Sequence, residues 1–304
     1  MLPPEAASHS MFNKSLNPVA GEDFPHGKSI AATGLTLSLA ATTNLAATFG
    51  VFTSMDGPTD KAESRKVCVY CGKNGRLTND HVPPQNLFLK PRPNDLITVP
   101  ACETCNRGAS KDDEYFRLML AIRQDAGNTG PAQHLWPTIE RSLKRSQAHG
   151  MTMSLLNATQ LNDVETEAGV FLGAVPTYSV DSARLRSVVE RITRGLYYNQ
   201  FGKPLPYRDE VRVYSDDDLR ADPNLKRLLA DLITKTTCSP NHKVGDGAVF
   251  NYWCKRVVGH ETASSWVTCF FQCVFFVSFN LAPELRSAAN KKMHRSSGPA
   301  ARSE

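Results

Sequence analysis

The sequence contains no run that combines the length and the apolar composition of a membrane-spanning helix, which needs about 20 predominantly apolar residues. Two stretches, 29–55 and 262–283, lack charged residues, but the first is diluted by threonine, serine, asparagine and glycine. The second is rich in β-branched and aromatic residues, which favours a buried strand. Acidic residues precede the first stretch, whereas a secretory signal peptide begins with basic ones. We therefore expect a soluble, cytoplasmic protein without a membrane partner.

A strong charge bias is also absent, as is any internal repeat. The formal net charge of +5 permits a nucleic-acid partner without requiring one. The chain has 304 residues, more than one domain usually has, so its length predicts two domains with tails. The predicted parts are a poorly ordered N-terminal extension at 1–60, a cysteine-bracketed module at 61–127, an α+β domain at 128–284 and a basic tail at 285–304.

Half of the eight cysteines lie in two Cys-x-x-Cys pairs. Two such pairs can supply the four thiolates of a closed tetrahedral zinc site, with each sulfur about 2.3 Å from the ion. The segment between the pairs is longer than the roughly 15–20 residues of a plain zinc ribbon, so it contains an insertion. A disulfide-bonded secreted protein is the alternative, and the paired spacing favours zinc over it. The paired cysteines are Cys68, Cys71, Cys102 and Cys105, and the others, expected to be mostly buried free thiols, are Cys238, Cys254, Cys269 and Cys273.

The insertion and the segment after it are predicted to form two short strands and a helix. Leu77–Val82 is predicted to be a strand that ends at Pro83, because proline cannot donate a hydrogen bond to a ladder. Leu96–Val99 is predicted to be a second strand, closed by the proline that follows it. Ser110 and Asp113 have the spacing of a capping box and predict the start of a helix with one apolar face.

The first strand carries Asp80 and His81, which suit phosphodiester hydrolysis. That reaction needs a metal on the scissile phosphate and a base for water. Asp80 offers a hard oxygen ligand for Mg²⁺ or Mn²⁺, and His81 is the natural base because imidazole titrates near neutral pH. Neighbours on a regular strand point to opposite faces, so we expect a distorted strand end here. Asn106, which follows the second cysteine pair, offers a second oxygen ligand that bound zinc would bring near Asp80.

In this order of motifs, residues 68–113 resemble the zinc-stapled HNH endonucleases, which have a ββα-metal core. The family pattern is Cys-x-x-Cys, then Asp-His-hydrophobic-Pro, then Asn-Leu, then Cys-x-x-Cys followed by His or Asn. The resemblance implies that Asp80 and Asn106 bind the catalytic divalent ion and that His81 is the general base. It also implies that the four paired cysteines are the ligands of a structural zinc ion.

One position departs from the family pattern. Where the family has asparagine before the leucine of the second strand, this chain has Asp95, preceded by Asn94. Either Asp95 accepts a hydrogen bond from His81, or Asn94 serves after a shift of one residue. We expect the two residues together to shape the loop of the hairpin.

The resemblance implies a metal-dependent endonuclease that hydrolyses phosphodiester bonds of DNA, expected to be double-stranded. Its cofactors would be structural Zn²⁺ and catalytic Mg²⁺ or Mn²⁺. By analogy of fold alone, restriction or anti-phage defence is a fitting setting. The alternative is a zinc-dependent nucleic-acid-binding or scaffold module that does not cleave.

Residues 128–284 carry no motif of this kind. Helices are predicted within 131–160, after the capping residue Asp181, and at 222–235. Segments 248–258 and 264–280 are predicted to be the two strands of an antiparallel hairpin, the second having one wholly apolar phase. The expected fold class is therefore α+β: a ββα-metal module followed by an α+β domain with an antiparallel hairpin.

Overall fold

A computed structural model of the chain describes residues 67–166 and 171–283. The predicted extension at 1–60 and tail at 285–304 lie outside these residues. Of the described residues, 67–162 and 177–283 belong to one compact unit, and 163–166 with 171–176 belong to another. The predicted boundary between residues 127 and 128 falls inside the larger unit, and the division into domains there stays a prediction.

Strands and helices alternate irregularly along the described residues. The strands are β1 (Leu77–Val82), β2 (Ile97–Cys102), β3 (Thr159–Glu165), β4 (Phe171–Tyr178), β5 (Glu210–Ser215), β6 (His242–Val244), β7 (Phe250–Arg256), β8 (Ser264–Phe270) and β9 (Val274–Leu281). The helices are α1 (Glu103–Gly108), α2 (Ser110–Ile122), α3 (Gln124–Gly127), α4 (Gly130–Leu143), α5 (His149–Ala158), α6 (Ser182–Phe201), α7 (Asp216–Ala221) and α8 (Pro223–Thr237). No helix in the ranges 67–166 and 171–283 is long and apolar enough to cross a membrane.

Strands β1 and β2 form an antiparallel two-stranded sheet. The prediction for β1 is confirmed, since it ends at Val82, directly before a proline. The predicted end of β2 is wrong, because the strand continues through Pro100, which lies opposite Asn79. A two-stranded sheet has an unpaired edge on each strand, and proline is tolerated where its missing N–H would face outward. The carbonyl of Pro100 instead accepts a hydrogen bond from the N–H of Val69 at 3.0 Å.

The capping box predicted at the start of α2 does not form. The hydroxyl of Ser110 donates to the carbonyl of Arg107 at 2.9 Å, and the helix has no side-chain cap. The carboxylate of Asp113 instead forms an ion pair with Arg191. The predicted apolar face of α2 is present and buries Phe116 against Phe270, with the ring centroids 5.2 Å apart.

A five-stranded antiparallel sheet with the order β5-β9-β8-β7-β6 forms the centre of the larger unit. The predicted single strand at 264–280 is wrong, because it is divided by a tight turn into β8 and β9. Phe271 and Gln272 have φ angles of 49° and 64° in that turn. Phe271 is buried although it lies in the turn, so the apolar alternation continues through it and hides the reversal.

Helices cover both faces of this sheet. On one face, α7 and α8 pack against β8 and β9 through Leu219, Leu229, Val267, Val277 and Phe279. On the other face, α2 and α6 pack against aromatic residues of β8, with Phe116 against Phe270 and Tyr197 against Trp266. The observed class is a mixed α and β fold with antiparallel sheets and a four-cysteine cluster.

Helix α6 also contacts the β1–β2 hairpin. It begins as predicted at Asp181, whose carboxylate accepts a hydrogen bond from the N–H of Arg184. Gly195 on the same helix faces Val82, and a Cβ atom added there would lie 2.5 Å from a methyl carbon of Val82. The missing side chain therefore lets α6 approach β1 closely, so that the hairpin packs against this helix within the larger unit.

Candidate functional site

The four paired cysteines meet at one point. Their sulfur atoms all lie within 4.8 Å of one another. The Sγ atoms of Cys71 and Cys102, one from each pair, are 3.8 Å apart. A tetrahedral zinc site with bonds of about 2.3 Å has sulfurs about 3.8 Å apart, so the cluster has the size that zinc requires.

The backbone of the first pair forms a tight knuckle. The N–H of Gly72 donates to the carbonyl of Cys68 at 2.9 Å, and the N–H of Cys68 donates to Lys73. Gly72 has a φ of 70°, in the left-handed region that favours glycine. This turn brings Cys71 back toward Cys68, so that both thiols face the second pair.

The pKa values of the thiols also favour the binding of a cation. A hydrogen bond from the backbone N–H of Cys105 lowers the pKa of the Cys102 thiol to about 7. Burial and the neighbouring thiols raise the pKa of Cys105 well above its ordinary range. Four sulfurs this close therefore resist full ionisation unless a cation balances them, and thiolates are the form in which cysteine binds metal. The cluster can hold a metal ion such as Zn²⁺.

Asp80 is 7% exposed, and both of its carboxylate oxygens accept hydrogen bonds. One oxygen accepts from the hydroxyl of Tyr70 at 2.8 Å. The other accepts from the backbone N–H of His81 at 2.9 Å. The Nε atom of Arg191 lies 4.0 Å from the oxygen that Tyr70 contacts. The carboxylate is thus held by three groups from three different parts of the chain.

Asp113 completes a buried polar cluster around Asp80. It forms a short ion pair with Arg191, whose side chain is only 12% exposed. Burial raises the pKa of Asp113 to about 6, the charge of Asp80 adds to this rise, and the charge of Arg191 opposes it. Burial and the same Asp80 carboxylate raise the pKa of the Tyr70 hydroxyl, which therefore stays a donor at neutral pH.

His81 is half-buried and lies opposite Thr98 on β2. The pairing of β1 with β2 stays regular through Val82, so the predicted distortion of the strand end is not observed. On a regular strand the side chains of His81 and Asp80 leave from opposite faces. The contact between the two residues is made by the backbone N–H of His81, which donates to the Asp80 carboxylate. Within the residues that the structure describes, the His81 ring has no hydrogen-bond partner.

Asn106 lies on α1 and is anchored to β1. Its amide nitrogen donates to the hydroxyl of Thr78 at 2.9 Å and to the carbonyl of Asn79 at 3.2 Å. These bonds orient the amide and leave its carbonyl oxygen available as a metal ligand. Asn106 therefore lies against the strand that carries Asp80, as expected. Its two hydrogen-bond partners, Thr78 and Asn79, directly precede Asp80 on that strand.

The loop residues Asn94 and Asp95 lie in an exposed turn between β1 and β2. Both carboxylate oxygens of Asp95 accept from the backbone N–H of Gly245, at 2.9 and 3.0 Å. Asp95 therefore fastens the hairpin loop to the turn between β6 and β7, and this contact uses the acceptor atoms that were expected to orient His81. The idea that the two residues shape the loop stays a prediction.

Sequence reasoning missed Tyr70, Asp113 and Arg191. A tyrosine within a cysteine knuckle is a local signal that could have been noticed, since its position is fixed by the ligands on either side. The sequence around Asp113 indicates only a helix-capping residue. Nothing in the sequence indicates that residue 191 meets residue 80.

These features define a protein with a four-cysteine cluster that can hold a metal ion and that joins the ends of a short hairpin beside a buried carboxylate cluster. Comparison of the chain with protein-family models, with curated proteins and with solved structures finds no match in any of the three. The resemblance of residues 68–113 to HNH endonucleases therefore rests on their motifs alone.

Proposed function

We propose that the chain is a metal-dependent endonuclease that hydrolyses DNA phosphodiester bonds at the β1–β2 hairpin, with the ββα-metal arrangement of HNH enzymes. The observation that carries the proposal is the pairing of Asp80 and His81. A buried carboxylate held by hydrogen bonds is followed in the strand by a half-buried histidine whose ring makes no hydrogen bond to any described residue.

The surroundings of this pair support the same function. An antiparallel hairpin is followed at once by α1, as in a ββα arrangement. The four-cysteine cluster joins both ends of the hairpin, because Cys71 precedes β1 and Cys102 ends β2. Asp80 and Asn106 provide the hard oxygen donors that Mg²⁺ and Mn²⁺ prefer.

The residues of the candidate site have separate roles in phosphodiester hydrolysis. His81 accepts a proton from water as the water oxygen attacks the phosphorus, and its half-exposed ring leaves room for that water. Asp80 and Asn106 would hold a divalent ion, which would supply positive charge to the phosphate and to the leaving oxygen. Asp80 is held in one orientation by Tyr70 and by the backbone of His81, which prepares it as a ligand.

A non-catalytic zinc-dependent nucleic-acid-binding or scaffold module is the second candidate. The burial of Asp80 favours it, since a carboxylate that is 7% exposed and already accepts two hydrogen bonds has little room for a metal. In this case His81 would be an ordinary half-buried residue of the hairpin.

Nicking of supercoiled plasmid DNA with Mg²⁺ or Mn²⁺ tests the proposal. We expect the full chain to nick the plasmid and His81→Ala to be slower by about 10²–10⁴-fold, the usual contribution of a general base. His134→Ala is the matched control, because His134 is an exposed histidine on α4. It should nick at the rate of the unmodified chain.

Equal rates for the unmodified chain and His81→Ala would exclude His81 as the base. No nicking by the unmodified zinc-loaded chain with either ion would leave the non-catalytic module as the better interpretation. Zinc content and circular dichroism of each variant establish that the compared proteins are folded.

A further inference from the structure

Asp80 lies where two separate parts of the protein meet. Its hydrogen bond from Tyr70 comes from the first cysteine knuckle, at a residue between Cys68 and Cys71. Its charge partner Arg191 comes from α6, more than a hundred residues later in the chain. The candidate metal ligand is therefore in contact with the four-cysteine site on one side and with the sheet-covering helix on the other.

Tyr70 is well placed to transmit the geometry of the knuckle. Cys68 and Cys71 on either side of it point into the four-sulfur cluster, which fixes the backbone of Tyr70. Its hydroxyl lies 2.8 Å from a carboxylate oxygen of Asp80, in a part-buried hydrogen bond. Hydrogen bonds to charged groups are stronger than those between neutral groups, so this one favours a single orientation of the carboxylate.

The stability of the fold does not account for the presence of a buried arginine at position 191. Its guanidinium pairs with Asp113 and approaches Asp80, but its Nη1 atom is buried without a hydrogen-bond partner among the described residues. A buried donor without a partner destabilises the folded state, and buried ion pairs often add nothing to stability when compared with apolar residues. A role in orienting Asp80 accounts for a cation at this buried position.

We propose that Tyr70 and Arg191 are positioning residues that hold the Asp80 carboxylate in place for a divalent cation. Through them the four-cysteine site and helix α6 both control the cation site. This inference rests on the proposed function, because it assumes that Asp80 is a ligand of the catalytic ion. It goes beyond that function by assigning part of the site to the C-terminal half of the chain.

Two substitutions remove the contacts with little change of volume. Tyr70→Phe deletes only the hydroxyl, and Arg191→Met deletes the charge while keeping an unbranched side chain. Arg191→Lys restores the charge without the guanidinium and should recover part of the loss. Asp80→Ala removes the proposed ligand, so the cation binding that it abolishes is the binding at this site.

The chain offers a matched control for each substitution. Arg184 also lies on α6 and pairs with Asp112 on α2 at 2.8 Å, next to the pair between Arg191 and Asp113. Arg184→Met thus removes a similar pair between the same two helices that does not involve Asp80. Tyr115→Phe removes a hydroxyl that accepts from the N–H of Asp181 at 2.8 Å, away from the hairpin.

Binding of Mn²⁺ to the zinc-loaded full chain is measured by the loss of the free-ion electron paramagnetic resonance signal. We expect Tyr70→Phe and Arg191→Met each to weaken the Asp80-dependent binding by about 10-fold or more, the usual effect of removing a contact behind a metal ligand. Both controls should bind like the unmodified chain. In the nicking assay, the Mn²⁺ concentration for half-maximal rate should rise by a similar factor while the rate at saturating Mn²⁺ changes less. A loss of folded protein would instead lower the saturated rate alone.

Unchanged Mn²⁺ binding in Tyr70→Phe and Arg191→Met, together with its loss in Asp80→Ala, would overturn the positioning role and leave the proposed function intact. Equal losses in Arg184→Met and Arg191→Met would also overturn it, because any pair between the two helices would then serve. If Asp80→Ala binds Mn²⁺ as the unmodified chain does, both the proposed cation site and this inference are wrong.

Discussion

At the scale of single residues, Asp113 shows how burial and a neighbouring cation compete at one carboxyl group. Its side chain is 16% exposed, and burial raises its pKa to about 6 despite the ion pair with Arg191. Asp80, which lies on the other side of the same guanidinium, adds to the rise. The cluster therefore has a measurable dependence on pH.

We predict that Asp113 makes the folded chain less stable as the pH rises from about 4 to about 6. The folded state binds the proton more tightly than the unfolded state, whose aspartate has a pKa of about 3.9, so the free energy of unfolding falls across this interval. The full difference corresponds to at most about 3 kcal/mol. It is present below the unfolded pKa and is lost as the pH passes the folded pKa.

Urea unfolding of the unmodified chain and of Asp113→Asn, at several pH values in that interval, measures this effect. The stability of the unmodified chain should fall relative to the variant as the pH rises, and contributions shared by both proteins cancel. A difference that does not change with pH would contradict the assignment of the titration to Asp113.

At the scale of secondary-structure elements, α6 approaches β1 closely. Gly195 lacks the side chain that would overlap Val82, and Val82 follows the Asp80–His81 pair on the strand. The distance between helix and hairpin thus depends on one glycine. The same helix carries Arg191, one turn earlier.

We predict that Gly195→Ala destabilises the chain by about 1–3 kcal/mol, the usual cost of overpacking a well-packed contact. Gly150→Ala on α5 is the control, because a Cβ atom at Gly150 meets nothing within 4 Å. This control should be neutral or stabilise the helix by up to about 1 kcal/mol. Thermal unfolding measures both, and a neutral Gly195→Ala would show that α6 and β1 can separate without cost.

Local sequence patterns predicted several elements well. The prolines after Val82 end β1, and Asp181 caps α6, because both effects act within a few residues. The turn at Phe271 was missed because its residues continue the apolar alternation of β8. The contact of Arg191 with Asp80 was missed because it depends on how α6 packs on the hairpin, and no local pattern encodes that packing.

At the scale of the whole molecule, the hairpin is held at several separate points. The four-cysteine cluster joins its ends, α6 packs against β1, and Gly245 binds Asp95 in its loop. A two-stranded sheet alone is marginally stable, so these contacts maintain the geometry of the candidate site.

We predict that the purified chain contains about one zinc ion and that a chelator lowers its melting temperature, because structural zinc contributes directly to folding. Cys105→Ser should lose the ion and show the same fall. Cys238→Ser is the control, since Cys238 is an exposed thiol outside the cluster, and it should keep both the zinc and the melting temperature. A metal-free chain that is indifferent to chelators would contradict this prediction.

The central claim is that the hairpin presents Asp80 and Asn106 to one divalent ion beside a structural zinc ion. Anomalous diffraction from crystals soaked in Mn²⁺, recorded at the zinc and manganese absorption edges, tests it most directly. We predict a zinc peak among the four sulfurs and a manganese peak within roughly 2–2.5 Å of both the Asp80 carboxylate and the Asn106 amide oxygen. A zinc peak without any manganese at these two residues would contradict it.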